Sequence, residues 1–397
     1  MKRFSFSADK RAAGVGRYHY LAMSGHICAD LTQGALPAIL PFLIAKYGLS
    51  YAEAAGIVFA SNLVSSVIQP LFGYLGDRIR RPWFMAVGIM AAGAGISFLG
   101  ICGSYTLMCA ASVVMGTGVA LFHPEGGKLA RIVSGDRQGT GMSVFSVGGN
   151  IGFVIGPLYA SVAILLFGLK GTFAFLLPTA AMSAVMLANN SKIKTLLTRH
   201  YEDKSKTGRA CEPDNPKGFA IVSLLMVFRS IVGISLNIFI PLFWIGILFQ
   251  SEAVGNANLS VFAVAGALAT LAGGRLADKL GFRKVIVFCC CLTPPLMLFF
   301  CLNRHLLLAT VTGMLISFAL NGAHSTIIVT GQNFLPNRIG MASGILFGLT
   351  ISVGGMFSPV VGWVGDRFGL ETALFLLTAL SIPAMILAFA IPTRRKE

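Results

Sequence analysis

Ionisable side chains inside long apolar stretches are the residues of this sequence best placed to do chemistry. His26 and Asp30 are four residues apart and Gln33 follows three residues later, so a helix would present all three on one face. Apolar surroundings penalise a charged carboxylate, which would allow Asp30 to take up and release a proton. The alternative is a structural pair, in which His26 and Asp30 bond to each other or to nearby backbone.

His123 and Glu125 form a second candidate pair for proton coupling. Positions two apart lie about 200° from each other on a regular helix, so these side chains share a face only if Pro124 distorts the turn, which we expect. Glu125 and Lys128 are spaced i, i+3 and could form an internal ion pair. Glu125 is therefore a second proton site, a gate contact or half of a structural pair.

Arg229 is the one formal charge in its apolar stretch. A guanidinium group can bind a carboxylate, phosphate or phosphonate through two parallel hydrogen bonds. Arg229 would either bind a substrate anion or act as a counter-charge to Asp30 or Glu125, and we expect it to face Asp30 across a cavity. Gln33 and Asn150 are further candidates for substrate contact, although Asn150 could equally serve helix packing.

His324, in a later apolar stretch, is expected to be a packing residue with satisfied hydrogen bonds. Ser112 lies four residues ahead of Gly116-x-Gly118 in the apolar stretch that also holds His123.

The elements that must position these residues are twelve apolar segments. Of the 397 residues, 55% are hydrophobic and 12% are charged, against about a quarter charged in soluble domains. A helix that crosses a hydrocarbon core of about 30 Å needs about 20 residues. The predicted fold is therefore an all-α membrane bundle with these spans: 18–46, 52–75, 83–102, 105–133, 139–168, 171–189, 218–248, 253–276, 284–302, 305–333, 339–366 and 370–391.

One long polar stretch, 190–217, divides the chain into two sets of six spans. It predicts a six-helix bundle over 1–189, a cytoplasmic linker over 190–217 and a second bundle over 218–397. With the N-terminus in the cytoplasm, 26 Lys and Arg residues lie on the cytoplasmic side and 4 on the other. This bias predicts that both termini lie in the cytoplasm, with the protein in the inner or plasma membrane.

The two halves repeat each other at a nearly constant separation. Asp77 in its glycine-rich stretch recurs as Asp278, a shift of 201, and Arg137 recurs at the same shift as Arg338. Gly152 shifts by 202 onto Gly354. Duplicated bundles that rock about a site near the bilayer midplane are typical of secondary transporters.

Several motifs resemble a known family. The stretch Gly273-Gly-Arg-Leu-Ala-Asp278-Lys-Leu-Gly-Phe-Arg283-Lys284 resembles the loop signature of the major facilitator superfamily, and residues 73–81 are its copy in the first half. Three blocks, at 25–41, 122–126 and 147–157, resemble the fosmidomycin-resistance family of drug efflux proteins. The likeness runs from about residue 20 to the C-terminus. One departure is Ser112, which occupies the place at which many proton-driven drug antiporters carry an arginine, so whatever that arginine does in those proteins must be done differently in this chain.

The resemblance implies a proton-coupled secondary transporter that exports a drug or small anion by proton antiport. Proton-symport uptake, or exchange of a small metabolite, is the alternative on the same fold. The resemblance also implies a cytoplasmic latch that holds the outward-open state, with Arg131 as a partner for Asp77. The latch residues would be Asp77, Arg81, Arg131, Asp278 and Arg283.

Other classes of protein fit the sequence poorly. The sequence contains no G-x-x-x-x-G-K-[ST] nucleotide motif, and His123-Pro-Glu125 lacks the second half of a zinc deaminase signature. The eight cysteines show neither a disulfide framework nor zinc-finger spacing. We therefore predict a monomeric carrier that is not an enzyme, with no cofactor, no metal and no nucleic-acid partner.

Overall fold

The computed structural model describes residues 16–79, 81–206 and 213–392, and these residues form helices joined by short connections. A 3-10 segment, Gly168–Phe175, links the last two helices of the first half. The helices of that half are α1 (Arg17–Tyr47), α2 (Tyr51–Ile79), α3 (Trp83–Leu99), α4 (Tyr105–Val133), α5 (Gln138–Phe167) and α6 (Leu176–Lys206).

The second half contains eight helical pieces because two of its six spans are interrupted. A π-helical segment, Ile345–Leu349, joins α12 to α13. The helices are α7 (Pro216–Gly246), α8 (Glu252–Leu280), α9 (Phe282–Leu302), α10 (Leu306–Gly322), α11 (His324–Phe334), α12 (Ile339–Gly344), α13 (Thr350–Phe368) and α14 (Leu370–Ala390).

The twelve predicted spans correspond to these helices. Among the described residues, 10 stretches are long and apolar enough to cross a membrane. One of them, Gln138–His200, is 63 residues long and combines α5 with α6 as far as His200, and α3 is a shorter apolar helix. Adding these two helices to the count gives the twelve segments that the hydrophobic pattern predicts.

The structure differs from the predicted segments in two ways: one helix extends beyond its span, and two spans are interrupted. Helix α6 continues to Lys206, so the first part of the predicted linker is helical. The tenth span breaks at Ala323, directly after Gly322, and the eleventh contains the π-helical segment. A hydrophobic pattern marks where a span lies, but it does not show a local change in hydrogen bonding within it.

Side-chain caps define where several helices begin. The hydroxyl of Ser104 accepts a hydrogen bond from the Leu107 amide at the start of α4. Asn215 caps α7 in the same way through the Gly218 amide, and Pro216 at the first helical position needs no amide partner there. These contacts satisfy amides that the helix itself leaves unpaired.

Glycines on α5 allow it to lie directly against α1. A Cβ atom at Gly152 would collide with the backbone of Ile27, and one at Gly149 would meet the side chains of His26 and Asp30. Gly148 and Gly156 make equally close approaches to the α1 backbone. Small residues at a membrane helix interface permit this backbone contact, and it places α5 beside the ionisable face of α1.

The helix pairs α2–α4 and α8–α10 are each joined by a serine hydrogen bond, at positions about one helical turn apart in the repeat. Ser112 on α4 donates to the carbonyl of Ile57 on α2 at 2.7 Å. In the second half Ser317 donates to the carbonyl of Phe262 at 2.6 Å. Ser112 is thus a buried link between neighbouring helices, in place of the arginine that many antiporters carry.

Candidate functional site

Three ionisable side chains from two helices meet in the interior of the first half. His26 Nε2 lies 3.2 Å from Asp30 Oδ2, His123 Nε2 lies 3.2 Å from Asp30 Oδ1, and the two Nε2 atoms are 3.1 Å apart. His26 and Asp30 are 4% exposed and His123 is 7% exposed. We call these three residues the triad. The spacing of His26 and Asp30 places both on one face of α1, and packing of α4 against α1 brings in His123.

The second ring nitrogen of each histidine fixes its tautomer. His26 Nδ1 lies 2.7 Å from the Phe145 carbonyl oxygen, and His123 Nδ1 lies 3.0 Å from the Val119 carbonyl oxygen. A carbonyl oxygen only accepts, so this network assigns a hydrogen to each Nδ1 atom.

With both Nδ1 atoms protonated, neutral imidazoles would direct two Nε2 lone pairs at each other and at the Asp30 carboxylate. These lone pairs repel unless at least one proton lies among the two Nε2 atoms and the carboxylate. Asp30 Oδ1 has no aligned hydrogen-bond partner in the described part of the chain. The geometry therefore favours a triad that carries at least one shared proton.

The triad lies in an aromatic enclosure. The Phe145 ring stacks on the His26 ring with centroids 4.1 Å apart and an interplanar angle of 18°. Phe122 lies on another side of His26, at 6.1 Å. Low-polarity surroundings strengthen the electrostatic interactions among the three groups.

The same donor set has the chemistry of a metal site. The His26, Asp30 and His123 donor atoms all lie within 4.8 Å of one another, and a carbonyl at the second nitrogen of each histidine is a common outer contact of metal-bound imidazole. Two imidazoles and one carboxylate can bind either a proton or a divalent transition metal, so chelation is a necessary control in any test of this site.

Glu125 belongs to a separate cluster. Its Oε1 atom lies 2.5 Å from Lys128 Nζ, and Lys128 also donates to the Gly76 carbonyl at 2.9 Å. Glu125 and Lys128 are each 1% exposed. Helix α4 continues across Pro124, and His123 and Glu125 do not share a face: His123 contacts Asp30 and Glu125 pairs with Lys128.

Asp77 joins the first half to the second. Its carboxylate accepts hydrogen bonds from the Gly340 amide at 2.9 Å and the Met341 amide at 3.0 Å. Both amides lie in the first turn of α12, where a helix favours negative charge. The cation beside Asp77 is Lys128, whose Nζ atom lies 3.6 Å away.

Asp278 makes the reciprocal contact. Its carboxylate accepts from the amides of Gly139 and Thr140, both at 2.8 Å, and from the Thr140 hydroxyl at 2.6 Å. These donors lie in the first turn of α5, in the opposite half from Asp278. We call the end of the bundle that holds Asp77 and Asp278 the latch end.

Backbone contacts accompany these carboxylates. A Cβ atom at Gly73 would collide with the Gly340 carbonyl, and one at Gly139 would collide with the Gly274 carbonyl. The pairs Gly73 with Gly340 and Gly274 with Gly139 are therefore in direct backbone contact across the two halves. The halves are closed together at the latch end in this conformer.

The three arginines predicted for the latch have different partners. Arg131, the expected partner of Asp77, donates to the Asn333 side chain in the other half, and Lys128 forms a salt bridge with Asp77. Arg283 donates to the carbonyls of Ile391 and Phe389 near the end of α14, within its own half. Arg81 is exposed and has no salt bridge to any described residue.

Arg229 lies in the second half, beside the break in the tenth span. Its Nε atom donates to the Leu320 carbonyl at 2.7 Å, and the side chain lines a crevice together with Cys290 and Ser381. In the described ranges it forms no salt bridge with Asp30 or Glu125. Arg229 and Asp30 therefore form no direct ion pair in this conformer, and whether they face each other across a cavity stays a prediction.

His324 is a residue that sequence reasoning misread. Its Nδ1 atom is buried and has no hydrogen-bond partner among the described residues, so it is not the satisfied packing residue that we expected. It lies within electrostatic reach of both Arg229 and His26. Its position directly after Gly322 and Ala323, where a span breaks, is the signal that identifies it.

The two predicted polar contacts for substrate occupy different environments. Gln33 is half-buried, one turn beyond Asp30 on α1, and Asn150 on α5 is exposed. Within the described chain neither side chain makes a hydrogen bond, so both amides are available to a ligand. Asn150 follows Gly149, whose backbone lies against Asp30 and His26.

Comparison with known proteins shows which family this chain belongs to. Residues 22–210 and 219–397 match the family model described as Major Facilitator Superfamily. The chain belongs to this superfamily. The predicted all-helical membrane fold is thereby confirmed, and superfamily membership makes the protein a multi-pass secondary transporter rather than an enzyme.

Individual members of the superfamily resemble the chain over nearly its whole length. The fosmidomycin resistance protein of Escherichia coli is 30% identical over 398 residues, covering 98% of this chain and 96% of that protein. The multidrug resistance protein MdtG of Dickeya zeae is 24% identical over 387 residues, covering 90% of each.

Solved structures show the same fold. The E. coli fucose:proton symporter FucP superimposes with a TM-score of 0.72 at 14% identity, covering 95% of this chain and 98% of that chain. At that identity the likeness concerns the fold alone. It supports two six-helix halves arranged as in other members of the superfamily.

Proposed function

We propose that this superfamily member exports a small, anionic drug-like compound in exchange for protons, and that the triad is the proton-carrying site. Each proton that moves inward through 100 mV supplies about 2.3 kcal/mol, which corresponds to roughly a fifty-fold substrate gradient. The proposal rests above all on the convergence of two imidazole Nε2 atoms and one carboxylate within 3.2 Å in an aromatic enclosure.

Burial and hydrogen bonding support a role for the triad in proton transport. Intramembrane ionisable residues are costly and commonly mark ion or proton pathways. His26 and His123 are each held by one carbonyl at Nδ1, which leaves both Nε2 atoms directed at Asp30. Glu125 has one carboxylate oxygen without a hydrogen bond in the described ranges, so it is our candidate for a second proton acceptor.

The substrate would be bound between the halves, near Gln33 and Arg229, with Asn150 as a further contact. Arg229 supplies a guanidinium group without an acidic partner among the described residues, which suits a carboxylate or phosphonate. Two relatives are named for fosmidomycin resistance and multidrug resistance, and these names favour export over uptake. Fosmidomycin, a phosphonate, is the probe that we would use first.

In this scheme the latch holds the protein closed toward the cytoplasm. The bias of Lys and Arg predicts that the latch end faces the cytoplasm of the plasma membrane, with both termini on that side. Asp77 and Asp278 then hold a state that is open outward, and their release allows substrate to enter from the cytoplasm. A single chain supplies every group in this scheme, so we propose a monomer with bundles over 1–189 and 218–397 and a linker between them.

Everted membrane vesicles test this proposal. Fosmidomycin added to vesicles that hold an acidic interior should drive proton exit, reported by a pH-sensitive dye, and the signal should be lost in Asp30→Asn. Glu125→Gln should weaken it if Glu125 is a second acceptor.

The matched control is Asp366→Asn, because Asp366 is an exposed residue far from the triad in sequence. Unchanged proton movement in both Asp30→Asn and Glu125→Gln would defeat the proposal. Proton movement in the same direction as fosmidomycin would instead establish symport.

A further inference from the structure

The enclosure of the triad is built from both halves of the protein. Phe145, in the first half, stacks on His26. Phe347, in the second half, has its ring centroid 6.1 Å from the His26 ring and 6.1 Å from the His123 ring. It also packs edge-to-face on Phe145 at 5.6 Å. One side of the enclosure therefore belongs to the half that does not contain the triad.

Phe145 and Phe347 are equivalent positions of the internal repeat. They are 202 residues apart, the same shift that relates Gly152 to Gly354. The two rings flank the His26 ring from opposite halves, so His26 lies where the repeats meet. A rearrangement of the halves leaves Phe145 in place over His26 but must displace Phe347.

The backbone around Phe347 has an unusual conformation. Phe347 lies within the π-helical segment Ile345–Leu349, and π insertions in α-helices are frequent at functional sites. Glycines bring this segment close to the first half: a Cβ atom at Gly348 would collide with Gln69, and one at Gly127 would lie 3.0 Å from the Phe347 ring. The ring is thus seated on α4 beside the triad.

The same stretch of chain is bound to the latch. The Gly340 and Met341 amides, which Asp77 binds, precede Phe347 by seven and six residues. At 1.5 Å per residue, Gly340 and Phe347 are about 10 Å apart along the helix. One continuous helical stretch therefore contacts the latch carboxylate at one end and the triad at the other.

From these contacts, and on the basis of the proposed proton coupling, we infer that Phe347 is a gate for protons. The Phe347 ring separates the triad from the latch end while the halves are closed there. The ring moves away from the triad when Asp77 releases α12. Glu125, paired with Lys128, lies on α4 between the triad and the latch and would be the next proton acceptor on that side. His324, in the second half, is a titratable group within electrostatic reach of both His26 and Arg229.

Proton leakage in the absence of substrate tests the gate. The purified full chain is reconstituted into liposomes with an internal pH-sensitive dye, and an inward proton gradient is imposed with the membrane potential clamped. Phe347→Ala should admit protons several-fold faster than wild type, whereas Phe347→Tyr, which keeps the ring, should stay near wild type. Phe357→Ala is the matched control, since Phe357 is 42% exposed on α13.

A double variant identifies the route of the leak. Combining Phe347→Ala with Asp30→Asn should return proton entry to the wild-type rate, because the path passes through the triad. A leak that persists in the double variant overturns the inference, as does a Phe347→Ala protein that is as tight as wild type. If Phe347→Ala does not reconstitute, Phe347→Leu, whose side chain fills more of the space left by the ring, replaces it. Its proton leak is then measured with and without Asp30→Asn.

The leak measurement tests the gate separately from the fosmidomycin transport assay, which tests the proposed function. Wild-type vesicles that show fosmidomycin-driven proton movement together with a tight Phe347→Ala protein would remove the gate and keep the proposed function. Absence of fosmidomycin-driven proton movement in wild type would remove the proposed function, whatever the leak rates.

Discussion

Asp77 and Asp278 lie 201 residues apart in the repeat, and each binds the first turn of a helix in the opposite half. The amides that they bind are themselves related by the same shift, because Gly139 corresponds to Gly340. The latch end is therefore closed symmetrically, because each half contributes one carboxylate that binds helix amides of the other half. Each carboxylate replaces the hydrogen-bond partners that the start of a helix lacks.

Replacing either latch carboxylate should loosen that end. A hydrogen bond to a charged group contributes about 1.5–3 kcal/mol. Asp77→Asn should therefore lower the equilibrium constant for closure of the latch end by roughly tenfold or more. Hydrogen exchange at the Gly340 and Met341 amides measures this directly, and their protection should fall in the variant.

Asp278→Asn should have the corresponding effect at the Gly139 and Thr140 amides. Asp366→Asn, at an exposed position, is the control for the loss of one negative charge. Protection that stays at the wild-type level in both latch variants would show that the backbone contacts alone hold the end closed.

The glycine contacts at the latch end predict that an added methyl group, like loss of a latch carboxylate, lowers amide protection there. Gly73→Ala places a methyl group against the Gly340 carbonyl, so it should separate the halves at this end and lower protection of the α12 amides. Gly233→Ala on α7 is the matched control, because a Cβ atom there meets nothing within 4 Å and alanine favours a helix by up to about 1 kcal/mol. Equal exchange rates in the two variants would argue against close backbone contact.

Chelation separates the two chemistries open to the triad. If a shared proton is its working ligand, dialysis against EDTA should leave fosmidomycin-driven proton movement unchanged. Metal analysis of the purified protein before and after dialysis provides the accompanying measurement. A loss of activity on chelation that zinc or cobalt restores, and that His123→Gln abolishes, would instead identify a metal site.

Arg229→Ala should act on anionic substrates selectively. Loss of the guanidinium should raise the half-saturating concentration of fosmidomycin by about tenfold or more, since charge-assisted hydrogen bonds contribute about 1.5–3 kcal/mol. A neutral substrate should be affected much less. The control is Arg304→Ala, because the exposed Arg304 to Glu371 pair contributes little. Equal effects on charged and neutral substrates would make Arg229 a structural residue.

The hydrophobic pattern predicted most of the fold because span length and charge exclusion follow from the bilayer itself. The predicted segment 105–133 coincides with α4, Tyr105–Val133. The pattern missed the polar extension of α6 to Lys206, since a helix that leaves the apolar region no longer carries the signal used to find it. It also missed the break at Ala323, because hydropathy does not report backbone hydrogen bonding.

The site could be predicted only where its geometry is local. The i, i+4 spacing placed His26 and Asp30 on one face, and the i, i+3 spacing allowed the Glu125 to Lys128 pair that the structure contains. The approach of His123 to Asp30 depends on how α4 packs on α1. Phe347 reaches the triad from the other half, and its equivalence to Phe145 becomes informative only once both rings are seen beside His26.

Proton release on substrate binding tests the central claim most directly. Purified protein in weakly buffered detergent solution, mixed with fosmidomycin in the presence of a pH indicator, should release protons in wild type and none in Asp30→Asn, with fosmidomycin binding to both measured by calorimetry. Undiminished proton release by an Asp30→Asn protein that still binds fosmidomycin would contradict the assignment of the triad as the proton-carrying site.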